Sequence, residues 1–334
     1  MPGAYIKLQD INHINAELSN YCNAACPMCA RFDYDQNLIK GITNNSHTTL
    51  DDIKNKIGPE VLKNVNLFRS CGNVGDGTMN PECAEIYEYV KQVNDGVTLS
   101  INTNGGARNP DFYRHLAQIG VKVIFSIDGL EDTNHLYRRN VKWSKVMDNA
   151  EAFVRAGGHA EWDYLIFEHN QKQVSEAESL SRKIGFRKFN KKTTTRWDDF
   201  DSAGNWIKRD KISVDGYDLQ KPIQGVIDNY AVDSFQKTKQ KIKNKIACNS
   251  FTSTNVEIFL HANGNVSPCC WLGDLQTHES KNIIKDYKTV NIHHRSLEEI
   301  LEGHYFNEIW KGIQGFEQQY KLVTCENVCG VCYE

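Results

Sequence analysis

No apolar run in the 334 residues approaches the roughly 18 that would suggest a membrane span. No spanning helix is therefore expected. The opening Met1-Pro2-Gly3-Ala4-Tyr5 lacks the charged and apolar regions of a signal peptide, and a cytoplasmic location is the expectation. Charge of one sign is also missing. The net value of −3 offers no global case for nucleic acid or an anionic membrane as partner. The composition is that of a soluble globular chain, 40% hydrophobic and 24% charged with mean hydropathy −0.55, long enough for one large domain and a smaller one.

Against this ordinary background stand eleven cysteines. In a reducing compartment, metal or cluster ligation is a better use for them than disulfides. They are also clustered. Three fall in Cys22-Asn23-Ala24-Ala25-Cys26-Pro27-Met28-Cys29, spaced C-x3-C-x2-C, and six lie between Cys248 and Cys332. Cys71 and Cys83 stand alone and read as small buried hydrophobes. Soft thiolates in one short loop suit an iron–sulfur cluster or zinc. Zinc usually wants four ligands in paired spacings. Three thiols instead leave one iron of a four-iron cube open to a small molecule.

From residue 14 to about 195, short apolar runs alternate with longer stretches of helical period. Strands are predicted at Ile14–Leu18, Asn66–Arg69, Thr98–Asn102, Val121–Ile127, Trp162–Phe167 and Arg187–Lys191. Helices are predicted at Leu50–Ile57, Pro81–Val93, Pro110–Ile119, Trp143–Ala156 and Gln171–Ile184, with Pro81 and Pro110 as first-turn residues. Gly120, Gly157 and Gly185 follow three of the helix ends, where a left-handed cap is wanted. Six such units imply a parallel sheet curled into a partial barrel, with its chemistry at the carboxyl ends of the strands.

The cysteine loop resembles that of the radical S-adenosylmethionine (SAM) enzymes. The resemblance implies that Cys22, Cys26 and Cys29 hold a [4Fe–4S] cluster whose open iron chelates the amino and carboxylate groups of SAM. Met28 takes a place that is commonly aromatic and packs near the adenine, and a polarizable thioether fills the same space. Cys71-Gly72-Asn73-Val74-Gly75-Asp76-Gly77 resembles the family's Gly-Gly-Glu-Pro segment, which binds the SAM amino group. Gly75 and Asp76 match it; Val74 and Gly77 depart from it. Thr103-Asn104-Gly105 resembles the family's Thr-Asn-Gly, and Ser126-Ile127-Asp128-Gly129 its Ser-x-Asp-Gly. By that likeness Ser126 contacts the SAM ribose, and Arg138, twelve residues on, the SAM carboxylate, with Arg139 the near alternative. Asp128 reads as shaping the turn. Leu165-Ile166-Phe167 faces either the adenine or simply the barrel core.

Residues 196–247 change character. Trp197, Asp198, Asp199 and Trp206 sit among polar residues, and Lys237, Lys239, Lys241, Lys243 and Lys245 alternate with others. With Arg187, Lys188, Lys191, Lys192 and Arg196 they give a local basic excess, so a nucleotide substrate stays open beside the plainer reading of a solvated face. The stretch reads as a linker that also covers the barrel mouth. Beyond it come Cys248-x15-Gly264-x4-Cys269, with Val256–Leu260 and Val266 as a hairpin, and then Cys325-x3-Cys329-x2-Cys332. This arrangement resembles the twitch domain, a one-cluster relative of the SPASM domain. It implies an auxiliary [4Fe–4S] cluster on Cys248, Cys269, Cys329 and Cys332, with Cys325 in reserve and Cys270 pointing elsewhere. A four-thiolate zinc site has the same spacing. Leu297–Ile309 reads as an amphipathic helix packing the small domain onto the barrel.

The expected architecture is α/β: a partial (β/α)6 TIM-like barrel over 1–195, a linker over 196–247, and a small α+β twitch domain over 248–334. The resemblance implies an external flavodoxin- or ferredoxin-like electron donor, reductive cleavage of SAM to a 5′-deoxyadenosyl radical, and hydrogen abstraction from a peptide or small-molecule substrate. With four thiolates and no open iron, the auxiliary cluster is expected to accept an electron, which makes the net reaction an oxidation. The scarcity of residues before the first strand favours a compact substrate. Asp163, Glu168, His169 and Asp198 are candidate bases by position only. The alternatives are an enzyme modifying nucleotides or RNA and, in another class, an iron–sulfur electron carrier or a zinc-binding protein. A carrier would hold each cube with four cysteines, and the loop at Cys22 offers three.

Overall fold

The computed structural model describes residues 6–32, 37–39, 45–194, 196–200, 206–227, 245–252, 254–273, 278–314 and 322–331. Six parallel strands form its frame: β1 (His13–Ala16), β2 (Leu67–Ser70), β3 (Thr98–Thr103), β4 (Lys122–Ser126), β5 (Ala160–Leu165) and β6 (Lys188–Lys192). Between them run α1 (Pro59–Leu62), α2 (Cys83–Val93), α3 (Pro110–Ile119), α4 (Asn134–Tyr137), α5 (Trp143–Arg155) and α6 (Val174–Ile184). The partial barrel expected from the alternation of apolar runs is therefore present.

Alternate strand residues divide between two environments, as the period of two demands. Phe68, Ile101, Val123, Phe125, Trp162 and Tyr164 are buried on the helix-facing side. Phe125 meets Tyr113, Phe153 and Phe186, while Trp162 packs on Phe186 and Phe189. The Trp162 indole donates to the Ile127 carbonyl at 2.8 Å, so its one polar atom is satisfied in the core. Each such side chain contributes about 1.5–3 kcal/mol by leaving water.

The inter-strand helices are placed by local signals. Asn109 caps α3 by accepting from the Phe112 amide, Pro110 takes its first position, and Gly120 closes it in the left-handed region at φ 87°. Pro81, expected inside a helix, lies two residues before α2, whose N-cap is Glu82. The stretch expected at Leu50–Ile57 is wound mostly as a π-helix over Asp52–Ile57, closed by an i→i−5 bond from the Gly58 amide to the Ile53 carbonyl. Ile53 and Ile57 are both buried by that winding.

Residues 196–247 are more than a linker. Their described part forms two antiparallel pairs, β7 (Asp198–Phe200) with β8 (Trp206–Lys208) and β9 (Lys211–Val214) with β10 (Tyr217–Gln220), followed by α7 (Gln224–Ile227) and β11 (Lys245–Ile246). The β9–β10 hairpin lies on the barrel. The Arg139 guanidinium binds the Asp215 carboxylate and the Val214 carbonyl, and the Glu168 amide donates to the Gln220 carbonyl. Lys237, Lys239, Lys241 and Lys243 of the alternating run lie outside the described residues, as does the side chain of Lys245.

The cysteine-rich end joins the barrel sheet. Its hairpin strands β12 (Glu257–Leu260) and β13 (Val266–Ser267) extend the sheet to eight strands in the order β13-β12-β1-β2-β3-β4-β5-β6, with β12 parallel to β1 and β13 antiparallel to β12. Ile258 and Leu260, fully buried, continue the core beside Ile14 and Ala16. Then follow α8 (His278–Ile283), α9 (Leu297–Leu301), α10 (His304–Ile313), α11 (Val323–Cys329) and β14 (Gly330–Val331), which pairs with β11. The single helix expected at Leu297–Ile309 is thus two. A capping box of Ser296 and Glu299 starts α9, and the chain turns at Glu302–Gly303 before α10.

Candidate functional site

The C-x3-C-x2-C loop leaves the carboxyl end of β1 and is pinned from several sides. Arg31, 6% exposed, turns its guanidinium toward the carbonyls of Cys22 and Ala24. The Ala25 amide donates to the Arg139 carbonyl at 3.1 Å, and the Cys29 amide to the Cys26 carbonyl at 3.2 Å. Met28 is buried with a left-handed backbone, φ 64°, and its carbonyl accepts from Arg196 at 3.3 Å. Burial pushes the Cys22 thiol up to about 12 and the Cys26 thiol up to about 11, so their use as thiolate ligands requires a cation to draw the protons off.

Beside this loop, the carboxyl ends of β2 and β3 build one polar knot. The Asp76 carboxylate, 3% exposed, accepts from the Thr78 amide and hydroxyl on one oxygen and from the Thr103 hydroxyl, the Asn104 amide and the Asn104 side chain on the other. Five donors saturate it. Asn104 carries the knot to the cysteine loop: its Nδ2 lies 2.9 Å from Asn23 Oδ1 and 3.6 Å from the Cys22 sulfur. Gly75 is compelled by contact, because a Cβ there would sit 1.8 Å from the Ser19 carbonyl oxygen.

A second knot closes the far side. Arg138 Nε binds Asp128 Oδ2 at 2.6 Å, and its NH1 points at the Cys26 sulfur from 3.7 Å. The other Asp128 oxygen accepts from the Leu165 amide at 2.6 Å, and Asn170 donates to the carbonyls of Asp128 and Leu165. Burial raises the Asp128 carboxyl, opposed by the guanidinium beside it. Asp128 therefore shapes the turn and aims Arg138 at the thiol loop, whereas Arg139 is engaged by the covering hairpin. Ser126 and Leu165, both half-buried, end β4 and β5 on the same rim.

The positional bases differ in their surroundings. Asp163 is held by Lys192 at 2.6 Å and Asn190 at 2.8 Å. His169 stacks on Phe167, and burial lowers it to about 4. Glu168 is exposed on the surface, and the side chain of Asp198 lies outside the described residues.

Beside the glycine-rich loop, whose Asn73 donates to the Cys270 carbonyl, a cavity of about 200 Å³ is lined by Cys248, Cys269, Cys270, Cys325 and Cys329 with Arg69 of β2 and Glu257 of β12. Cys332 lies outside the described residues. Cys270 thus lines the same cavity as its neighbour instead of pointing elsewhere. Burial raises Cys248 to about 11 and Cys269 to about 12, and raises Cys329 as well. This donor set, soft thiols around a space larger than one ion, fits an iron–sulfur cube. No disulfide joins the described cysteines.

Sequence reasoning missed Glu17. It directly follows β1, is 1% exposed, and accepts the Asn73 amide at 2.9 Å, holding the glycine-rich loop to the barrel. Burial raises its carboxyl to about 8, opposed by the backbone amides of Asn73, Val74 and Gly75. The available signal was a lone acid inside an otherwise strand-like run. Because the folded-state value lies above the unfolded one, this group's contribution to stability is full below about pH 4.5 and is lost as pH rises toward 8. Glu17→Gln keeps the acceptor for Asn73 and removes the titration. It is expected to flatten the fall in urea midpoint between pH 5 and 8; an unchanged slope in the variant would exclude Glu17 as its source.

Residues 16–170 match the model of the radical SAM superfamily, and residues 248–333 match that of the SPASM iron-sulfur cluster-binding domain. No curated protein sequence matches the chain. Among solved structures, Streptococcus suis SuiB superposes with a TM-score of 0.60 at 14% identity, covering 92% of this chain and 69% of SuiB. SuiB bound to its precursor peptide SuiA gives 0.60 at 14%, covering 95% and 70%. Native anSMEcpe with bound AdoMet gives 0.57 at 14%, covering 91% and 84%. At such identities the likeness is one of fold. The chain belongs to the radical SAM superfamily, with a C-terminal SPASM-type domain, and its cofactors are SAM, a SAM-binding [4Fe–4S] cluster and an auxiliary one.

Proposed function

We propose that this radical SAM enzyme oxidises a peptide substrate held at the barrel mouth, where the SAM-side cluster would supply hydrogen-atom abstraction and the auxiliary cluster would serve as electron acceptor. The observation that supports the reading is the thiol-lined cavity, in which cysteines of the C-terminal region share a wall with Arg69 of the barrel strand β2. Solved complexes of SuiB with SuiA and of anSMEcpe with the Cp18Cys peptide support a peptide as substrate class. When bound, the cofactors supply one-electron cleavage of SAM and hydrogen-atom abstraction.

In this reading the chain's own residues bind and orient. Cys22, Cys26 and Cys29 hold the first cluster; Cys248, Cys269, Cys329 and Cys332 hold the second, with Cys325 beside them. Gly75 lets the backbone approach the SAM amino group, while Asp76 fixes the loop and Asn104 around it. Arg138, aimed by Asp128, takes the carboxylate through its planar fork. Ser126 meets the ribose, and Met28 and Leu165 flank the adenine. The β9–β10 hairpin covers the mouth and excludes water from it. An external flavodoxin- or ferredoxin-like protein delivers the electron.

The test is anaerobic reconstitution, iron counting and assay of 5′-deoxyadenosine after dithionite reduction, with and without a peptide pool. About eight irons per chain are expected for two cubes, with 5′-deoxyadenosine formation rising when peptides are present and a peptide losing mass. Bound zinc in place of iron, or two cubes without SAM cleavage, would overturn the reading. A response to nucleotides instead of peptides would reassign the substrate.

A further inference from the structure

We propose that Arg69 raises the reduction potential of the auxiliary cluster: its guanidinium, tethered by Glu257, is the fixed cation that favours the cluster's reduced form. The inference rests on the auxiliary cluster and not on the peptide substrate proposed above.

Strand register places the pair. Arg69 of β2 lies opposite Asn15 of β1, and Glu257 of β12 lies opposite His13, two residues earlier on β1. Side chains two apart on a strand share a face. Arg69, Asn15, His13 and Glu257 therefore stand on one side of the sheet, away from the helix-facing Phe68. The arginine side chain reaches across β1, and its NH2 lies 3.6 Å from Glu257 Oε1. Both residues line the thiol-bearing cavity. Among its described lining residues, Arg69 is the only cation and Glu257 the only carboxylate.

The pair is poorly made for stability alone. Its 3.6 Å separation is longer than a hydrogen bond. Arg69 Nε and Glu257 Oε1 are both buried, and neither has a hydrogen-bond partner. Glu257 Oε2 meets the Ser250 hydroxyl at 3.5 Å and His13 Nδ1 at 3.6 Å. Burial holds His13 down at about 4, so the ring is neutral near pH 7 and adds no second cation. Taking two charges out of water is offset only where the geometry is good and the remaining donors are satisfied. A buried donor left unpaired on the wall of a cavity is instead explained by a group which that cavity receives.

The chemistry of that group fits. A cube held by four thiolates is an anion, and one-electron reduction makes it more negative. A fixed positive charge and N–H donors beside it stabilise the reduced state and raise the potential. Arginine suits the task because it stays charged and presents several donors in one plane. Glu257 acts in the opposite sense and holds the guanidinium in place. The electron comes from the external donor, or from dithionite in vitro, and Arg69 neither gains nor loses a proton.

The test is a mediated potentiometric titration of the anaerobic, reconstituted holoenzyme, followed by electron paramagnetic resonance. Added SAM perturbs the signal of the cluster that binds it and so identifies the auxiliary one. Arg69→Gln is expected to make reduction of the auxiliary cluster at least tenfold less favourable, a fall of about 59 mV for one electron, with iron content unchanged. Arg69→Lys keeps the charge and should stay close to the parent. Glu257→Gln removes the opposing charge and should move the midpoint upward. The midpoint of the SAM-side cluster should not move in any of the three. An unchanged auxiliary midpoint in Arg69→Gln at full iron overturns the proposal. So does a fall of the same size in Glu257→Gln, which would mark a distorted wall and not a charge. If Arg69→Gln loses the auxiliary irons, Glu257→Gln decides alone: an upward shift supports the proposal, and no shift or a downward one overturns it. Failure of peptide oxidation with both cubes present bears only on the function proposed above.

Discussion

Replacing Cys22, Cys26 and Cys29 together by alanine is expected to abolish SAM cleavage and to lower bound iron from about eight to about four per chain, one cube of two. The loop provides three thiols and no more, so each single replacement should also leave a cluster too weakly held to survive gel filtration. The protein itself should persist. The loop is anchored by groups other than its sulfurs: Arg31 on the Cys22 and Ala24 carbonyls, Asn104 on Asn23, and the Arg139 carbonyl on the Ala25 amide. The circular dichroism spectrum should therefore match the parent, and the remaining irons should keep the signature of a thiolate-held cube. The complementary pair Cys248→Ala and Cys269→Ala should keep the SAM-cleaving cluster and lose the other four irons, with peptide oxidation failing while 5′-deoxyadenosine still forms. Retention of all the iron and of SAM cleavage in the triple variant would remove the basis for placing the first cluster on this loop.

Much of this arrangement is legible in the chain itself, and the reasons differ by element. The six barrel strands fall within two residues of their expected ends because β1, β3 and β5 are largely buried apolar runs that stop where the rim turns polar, while β2 and β4 alternate and β6 is the polar outer strand. The rim residues follow from that. Once the strands are placed, Asp76, Asn104, Ser126, Arg138 and Leu165 must gather at one end of the sheet.

What escaped depends on contacts between distant parts. Nothing local says that β12 will pair with β1, since the apolar run Val256–Leu260 reads as a hairpin strand whichever sheet it joins, and only the pairing buries Ile258 and Leu260. The same pairing brings the Cys270 carbonyl to Asn73 of the glycine-rich loop. The covering segment escaped for another reason. Its strands are three or four residues long and half polar, too short for a periodicity to declare itself. The role of Glu17 needed the fold as well, because its partners are backbone amides of a loop more than fifty residues away.

Arg138→Ala is expected to destabilise the protein by about 3–5 kcal/mol at neutral pH, the cost of orphaning a buried charge. Asp128 is fully buried, and Arg138 is its only cationic partner among the described side chains that bond it. With the guanidinium gone, one oxygen keeps the Leu165 amide and the other faces protein without a donor. The pH dependence follows from the direction of the shift. Burial already raises the Asp128 carboxyl above its ordinary value, and removal of the cation raises it further. A carboxyl with a raised folded-state value binds its proton more tightly when folded, so stability falls as pH climbs from about 4 through that value. The deficit of the variant should accordingly be smallest below about pH 3, where Asp128 is protonated in both states, and grow toward pH 8. Asp128→Asn in the same chain should recover most of it, since a neutral amide needs no counter-charge, and the double-mutant cycle then reads the coupling directly. SAM affinity separates the two roles of the arginine. The double variant should fold well and still bind SAM weakly, because nothing in it replaces the fork aimed past Cys26. A deficit that stays constant from pH 4 to 8 would mean that Arg138 stabilises the rim by packing on Tyr137 and not through the buried carboxylate.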